Sequence, residues 1–144
     1  MNVLVSACLL GINCKYDGFN NYNKNVIEYL KEHTIIPICP EQLAGFTTPR
    51  IPIEILDGRV IRKDGIDVTD NMKKGCEELK KFIELYSPSL AVLKSRSPSC
   101  GYKSIYDGTF TSKLTLGNGY ACQLILDSNI KVLTEEDIIS NIKG

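Results

Sequence analysis

The segment NVLVSA, residues 2 to 7, decides which fold the sequence predicts. It is short, rich in valine and leucine and followed by a loop with Gly11, which is typical of a buried strand in a parallel sheet. Two similar segments follow, TIIPIC at residues 34 to 39 and SLAVLK at residues 89 to 94. Because Pro37 cannot donate a ladder hydrogen bond, the second segment is predicted at a sheet edge or with an early end to its pairing.

Segments with helical periodicity alternate with these strands. Residues 23 to 33 carry apolar residues on one side and charged residues on the other, which indicates a surface helix. A second helix begins at Thr69 or Asp70, either of which can cap it, and its apolar stripe places Cys76 in the core. Further along, the pattern predicts a helix over residues 119 to 127, a strand over residues 130 to 133 and a terminal helix that begins at Thr134 with Asp137.

Two stretches lack these patterns. Residues 40 to 67 contain proline-fixed extended chain and two Asp-Gly turn signals among β-branched residues, which favours a small hairpin excursion over a helix. Residues 95 to 110 (SRSPSCGYKSIYDGTF) are polar and are predicted to form a long loop, in which Asp107 shapes a tight turn. Both stretches therefore lie outside the main sheet.

The alternation of strands and helices predicts an α/β fold, a three-layer sandwich with a mostly parallel, Rossmann-like sheet and a small β-hairpin excursion. Parallel strands need crossover connections, which places helices on both faces of the sheet. The length of 144 residues fits one domain over residues 1 to 144. In such sheets, ligands bind beyond the carboxyl ends of the strands.

Composition limits the classes of partner. Lysine plus arginine and aspartate plus glutamate number 17 each, so no long-range field favours nucleic acid or an anionic membrane, and a small molecule is the expected partner. No apolar stretch approaches the roughly 20 residues of a membrane span. The chain has six cysteines, too few for a disulfide-stapled secreted domain, and no recognisable export signal, so we expect a cytoplasmic protein. The sequence does not indicate an oligomeric state.

Three cysteines lie where strands of the predicted sheet end. Cys8 follows the first strand, Cys39 ends the second, and Cys100 lies in the loop that leaves the third. If these strands are neighbours, the three thiols converge at one edge and form a candidate metal or catalytic site; otherwise they are small buried residues. No Cys-x-x-Cys pair supports a zinc ribbon. Cys14 is open to three interpretations, namely a fourth ligand, a thiol beside the substrate and loop packing.

Polar residues accompany these thiols. Glu41 follows Cys39 by two residues and would lie at the mouth of the same crevice, where partial desolvation suits a general acid or base. Alternatively, it is a solvated carboxylate or pairs with Arg50. The segment SRSPSCG could form a nest of backbone amides for an anion or a carbonyl oxygen. His33, near a helix end, is expected to be structural.

Five motifs in order carry a resemblance over essentially the whole chain: VSACLLG-x-x-C-x-YDG, CPEQLAG, TPR-x-P-x-E, LKSRSPSCG and IYDGTF. Together they resemble a bacterial domain family of unknown function, number 523 (DUF523), whose members include thiouracil desulfidases. Lys15 and Phe46 stand where members of that family often have arginine and leucine. The resemblance implies an enzyme that cleaves a C–S bond hydrolytically in a thiolated nucleobase such as thiouracil.

The resemblance also implies a cofactor and roles for individual residues. Cys8, Cys39 and Cys100 would hold a 4Fe-4S cluster, whose fourth iron would be open to the thiocarbonyl sulfur. Glu41 would handle the attacking water, while Ser97 and Ser99 would orient the substrate. We expect aerobic preparation to remove such a cluster. The alternative is a non-catalytic module in which the cysteines bind zinc or an iron-sulfur cluster for structure or sensing; a metal-free nucleotide-binding domain lacks its glycine-rich fingerprint after the first strand.

Overall fold

The computed structural model describes residues 1 to 138. In chain order its elements are β1 (Asn2–Ser6), a 3-10 helix (Ala7–Leu10), α1 (Lys24–Tyr29), β2 (Thr34–Ile38), α2 (Pro40–Leu43), β3 (Ile53–Leu56), β4 (Arg59–Arg62), α3 (Thr69–Tyr86), β5 (Leu90–Leu93), β6 (Ser104–Tyr106), β7 (Leu114–Leu116), α4 (Tyr120–Asp127) and β8 (Lys131–Thr134). Residues 135 to 138 begin a further helix. Within this part of the chain, none of the helices is long and apolar enough to cross a membrane.

The main sheet is parallel and has the strand order β2-β1-β5-β8. β1 is central, and Val3 is in register with Ile35 on one side and with Leu90 on the other. The side chains of Val3, Leu4 and Val5 are completely buried, which explains why this strand is apolar without alternation. β2 lies at the edge, as Pro37 predicts.

Helices cover both faces of this sheet. On one face, α1 and the start of the terminal helix pack against β1 and β5. On the other face, α3 and α4 pack against the same two strands. The first cluster contains Val3, Val5, Leu9, Val26, Leu30, Leu90, Val92 and Ile138, and the second contains Leu4, Ile36, Leu79, Ala91, Leu93, Ala121, Cys122, Ile125 and Val132 among others. The predicted three-layer α/β fold is confirmed.

The excursion between β2 and α3 departs from the prediction at its start. The β3–β4 hairpin is present, and its turn residues Asp57 and Gly58 both have positive φ, of 50° and 76°, as a type I′ turn requires. However, residues that were expected to be extended form the short helix α2. Pro40 lies in the first turn of α2, where its fixed φ and missing N–H favour a helix.

Other boundaries also differ from the prediction. The polar loop over residues 95 to 110 contains β6, which pairs with β7; each strand has only three residues, too few to establish a strand pattern in the sequence. β1 ends at Ser6, one residue before the predicted end. The first helix covers fewer residues than 23 to 33: Asn23 is its N-cap, whose side chain accepts two backbone N–H bonds, and the helix already ends at Tyr29. Cys76 is half-buried on α3 instead of lying in the core.

The start of the terminal helix matches the prediction. The Asp137 carboxylate accepts the Thr134 backbone N–H at 2.9 Å, and the Thr134 hydroxyl accepts the Asp137 N–H at 3.4 Å. This reciprocal pairing is a capping box. The remainder of the predicted terminal helix lies outside the described residues.

Candidate metal centre

Three cysteines meet at the carboxyl edge of the sheet. Cys8 lies in the 3-10 helix directly after β1, Cys39 caps α2 directly after β2, and Cys100 lies in the segment that follows β5. Because β2, β1 and β5 are adjacent and parallel, their ends bring these residues together. All three line one cavity of about 430 Å³.

Cys14 belongs to the same cavity. Its side chain is buried and hydrogen-bonded to the thiol of Cys39, whose Sγ also lies 3.8 Å from the Cys14 carbonyl oxygen. The Cys14 thiol, the Gln42 backbone and the Arg50 charge stabilise the Cys39 thiolate and lower the pKa of Cys39 to about 7. The same hydrogen bond, with burial, raises the pKa of Cys14. Cys39 is therefore the thiol of this group that most readily ionises.

The other two thiols resist ionisation in the absence of a cation. Burial raises the pKa of Cys8, although a hydrogen bond from Asn21 opposes this effect. Burial also raises the pKa of Cys100, and negative charge on Cys8 or Cys39 raises it further. Three mutually repelling thiolates in one desolvated cavity require a positively charged group among them. This donor set fits an iron-sulfur cluster, for which cysteine thiolates are the usual ligands.

No disulfide joins any of the six cysteines. All six are free thiols, and Cys76 and Cys122 lie on helices away from the cavity. Among residues 1 to 138, no group of three histidine, cysteine, aspartate or glutamate side chains is arranged to hold a single metal ion.

Glu41 lies in the first turn of α2 and points into the cavity. Its Oε1 accepts the Arg50 Nε–H at 2.9 Å, and its Oε2 accepts the Ser99 hydroxyl at 3.0 Å. Both contacts use the carboxylate as an acceptor, so its two oxygens are held from opposite sides. Glu41 therefore pairs with Arg50, which was one of the alternatives that the sequence left open, and is not a freely solvated carboxylate.

Ser97 and Ser99 organise the loop that carries Cys100. The Ser97 Oγ accepts the backbone N–H groups of Ser99 at 3.1 Å and Cys100 at 2.9 Å, and lies 2.9 Å from the Ser99 Oγ. The prediction that the SRSPSCG segment offers its backbone amides to an anion or a carbonyl oxygen is therefore wrong for the amides of Ser99 and Cys100, because the Ser97 hydroxyl already accepts their hydrogen bonds. Gly101 permits the tight loop: a Cβ there would lie 2.6 Å from the Ser97 carbonyl oxygen.

Two buried glutamates support the walls of the cavity. Glu54 Oε1 accepts the N–H groups of Gly108 at 3.0 Å and Phe110 at 3.1 Å, which holds Phe110 against the cavity. Glu135 accepts the Ser95 N–H at 2.7 Å and pairs with Lys94 at 3.1 Å. Glu135 and Asn21 were not predicted, because nothing in their local sequence distinguishes them from ordinary helix and loop residues. Phe110 ends the IYDGTF motif, but the motif alone gave it no role at the cavity.

Two residues were expected to be structural. Asp107 shapes its turn by accepting the N–H and the hydroxyl of Thr109, as predicted. His33 directly precedes β2 and so lies at the edge of the sheet opposite to the cavity. Neither residue lines the cavity.

Comparison with known proteins identifies relatives of this chain. The family model described as 2-thiouracil desulfurase matches residues 3 to 137. An uncharacterized protein of Bacillus subtilis (strain 168), YbbK, is 33% identical over 146 residues, which cover 94% of this chain and 97% of YbbK. The solved structure of a 4Fe-4S-dependent thiouracil desulfidase, TudS, superposes with a TM-score of 0.88 at 33% identity, over 96% of this chain and 93% of TudS. The chain therefore belongs to the 2-thiouracil desulfurase family.

Proposed function

We propose that this protein is an iron-sulfur-dependent desulfidase that removes sulfur by hydrolysis from a thiolated pyrimidine such as thiouracil. Family membership and the likeness to TudS support this function. The observation that carries it is one cavity that combines three strand-end thiols with a carboxylate held by a serine and an arginine. In the reaction, water adds its oxygen to the thiocarbonyl carbon, the C–S bond breaks and sulfur leaves as hydrogen sulfide, without net electron transfer.

The cofactor is a 4Fe-4S cluster held by Cys8, Cys39 and Cys100. Three protein ligands leave one iron without a thiolate, so the bound cluster supplies a Lewis-acidic position for the departing sulfur. Cys14 then supports Cys39 through their hydrogen bond.

The remaining residues handle water and substrate. Glu41 takes the proton of the attacking water, because its oxygens are acceptors fixed at the edge of the cavity. The Ser99 hydroxyl donates to Glu41 and accepts a hydrogen bond from the Ser97 hydroxyl. Together, Ser97 and Ser99 orient the substrate. A balanced net charge fits a small molecule and not a nucleic acid, and six free thiols fit the reducing cytoplasm.

The test measures metal and turnover on the same preparation. We expect anaerobically reconstituted protein to bind about four irons per chain and to release sulfide and uracil from 2-thiouracil or 4-thiouracil. Glu41→Gln should keep the iron and lose turnover by roughly 10²-fold or more, as expected for removal of a general base. Glu28→Gln, on the exposed side of α1, should behave like the wild type.

Two results would contradict the proposal. Full iron loading without sulfide or uracil would indicate a metal-binding or sensing module instead of an enzyme. Stoichiometric zinc in a colourless preparation after anaerobic reconstitution would argue against the cluster itself.

A further inference from the structure

Arg50 is a nearly buried cation among three segments of the site. Its guanidinium donates from Nε to Glu41 Oε1 at 2.9 Å, from Nη2 to the Cys14 carbonyl oxygen at 2.9 Å and from Nη1 to the Thr47 carbonyl oxygen at 3.1 Å and the Thr48 hydroxyl at 2.9 Å. Only 8% of its side chain is exposed. Every guanidinium nitrogen therefore has a partner in the site.

These contacts link two segments that line the cavity. One branch holds Glu41, and another holds the backbone of Cys14, whose thiol is hydrogen-bonded to Cys39. The backbone N–H of Arg50 also donates to the Tyr16 carbonyl oxygen at 2.7 Å, so the segment after Cys14 is held at a second point. A planar guanidinium can make such diverging contacts at once, whereas a lysine ammonium acts as a point charge.

The Glu41 carboxylate depends on two contacts for its orientation. Ser99 holds Oε2, and Arg50 holds Oε1. Without Arg50, one hydroxyl donor would remain, and the side chain would regain rotational freedom about its terminal bonds. Small misplacements of a catalytic group reduce rates strongly, by as much as about 10²-fold for 1 Å.

We propose that Arg50 is a positioning residue of the desulfidase reaction, which fixes the Glu41 carboxylate and ties it to the Cys14 segment beside Cys39. This inference rests on the proposed function and extends it to a residue that holds the proposed general base in place. The other arginine–carboxylate pairs differ: Arg59 and Asp67, for example, pair at 2.8 Å with both side chains about half exposed to solvent.

A double-mutant cycle tests whether Arg50 acts through Glu41. Arg50→Gln should keep the iron content, lower kcat by roughly 10- to 100-fold and change KM by less than about threefold. In the Glu41→Gln background, the same change should have almost no further effect, because the group that it positions is already gone. Arg59→Gln is the matched control and should leave kcat unchanged.

Three results of the cycle would overturn the inference: wild-type kcat in Arg50→Gln, full additivity with Glu41→Gln, and a loss of iron that accounts for the loss of rate. If Arg50→Gln does not fold, the cycle is run with Arg50→Lys, which keeps the charge but not the planar donor set. Failure of the proposed function looks different, since neither the wild type nor Arg59→Gln would then release sulfide.

A second measurement requires no turnover. In the full chain, kept reduced and free of iron, the hydrogen–deuterium exchange of the backbone amides of residues 14 to 19 is followed by mass spectrometry. Arg50→Gln should raise this exchange rate about tenfold, because the charge-assisted hydrogen bond that holds the Cys14 backbone is lost. The segment around Cys122, which is completely buried on α4, is the internal reference. An unchanged exchange rate in residues 14 to 19 would contradict the link between Arg50 and this segment.

Discussion

At the scale of single residues, the cysteines differ in their neighbours more than in their depth. Cys100 and Cys122 are both buried, with 5% and 0% exposure. Burial alone raises the pKa of Cys122 to about 12, whereas Cys100 also feels the charges of Cys8 and Cys39. A group of thiols that affect one another is what a shared cofactor requires; an isolated buried thiol is ordinary core packing.

This difference leads to a prediction for the cofactor ligands. Cys8→Ser, Cys39→Ser and Cys100→Ser should each strongly reduce the iron bound after anaerobic reconstitution, because each change removes one thiolate. Cys14→Ser should keep the iron, since a hydroxyl can still donate a hydrogen bond to Cys39. The measurement is iron and acid-labile sulfide per chain, with the visible spectrum.

Cys76→Ser is the control for this series, because Cys76 lies on α3 outside the cavity. If it reduced the iron content as much as the other changes, the assignment of the three ligands would be wrong. An equal loss in Cys14→Ser would make Cys14 a ligand as well.

At the scale of elements, the short helix α2 depends on α3. α2 carries Glu41 and follows its N-cap Cys39, and it packs against α3 at Gly75. A Cβ at Gly75 would lie 2.8 Å from the Pro40 carbonyl oxygen and 2.9 Å from the Ala44 Cβ. A glycine in the middle of a long helix is unfavourable by itself, so this close approach explains why it is there.

Gly75→Ala should therefore destabilise the protein although alanine is the better helix former. Propensity favours alanine by about 1 kcal/mol, but forcing α2 away from α3 costs about 1–3 kcal/mol, and a shift of α2 also moves Glu41. Urea unfolding, followed by circular dichroism, gives the change in the free energy of unfolding. Lys74→Ala, at an exposed position of the same helix, is the control. Stability equal to or above that of the wild type would show that α2 accommodates the methyl group without cost.

At the scale of the whole molecule, the proposed ligands come from three neighbouring strand ends. Residues 8, 39 and 100 are far apart in sequence, and only the order β2-β1-β5 brings them to one cavity. The unfolded chain has no such site, so a cofactor bound there stabilises the folded state selectively.

We expect the melting temperature of the cluster-loaded protein to exceed that of the cluster-free protein under the same anaerobic conditions. The difference should vanish in Cys39→Ser, which lacks one ligand. Differential scanning calorimetry before and after removal of the iron by a chelator measures it. Equal melting temperatures for the loaded and the cluster-free wild type would contradict a cluster that joins the three strand ends.

Much of the fold and part of the site followed from local patterns. The parallel strands were evident from continuous apolar runs, and so were the strand ends that carry Cys8, Cys39 and Cys100; that these thiols converge depends on the strand order. α2 was missed because four residues provide no periodicity, and β7 because its three residues are too few to establish an alternation. The amide nest was wrong because the Ser97 hydroxyl takes two of the amides that it needed.

The sequence by itself determined the α/β class, the strand ends that carry the thiols and, through its five motifs, the family. These features depend on residue type and on short-range spacing, which the sequence displays directly. Only the tertiary structure decided the partners of the site residues: Arg50 reaches Cys14 across 36 positions, and Ser99 reaches Glu41 across 58. Such contacts depend on strand order and on the paths of loops, because hydrogen bonds form between groups that are near in space whatever their separation along the chain.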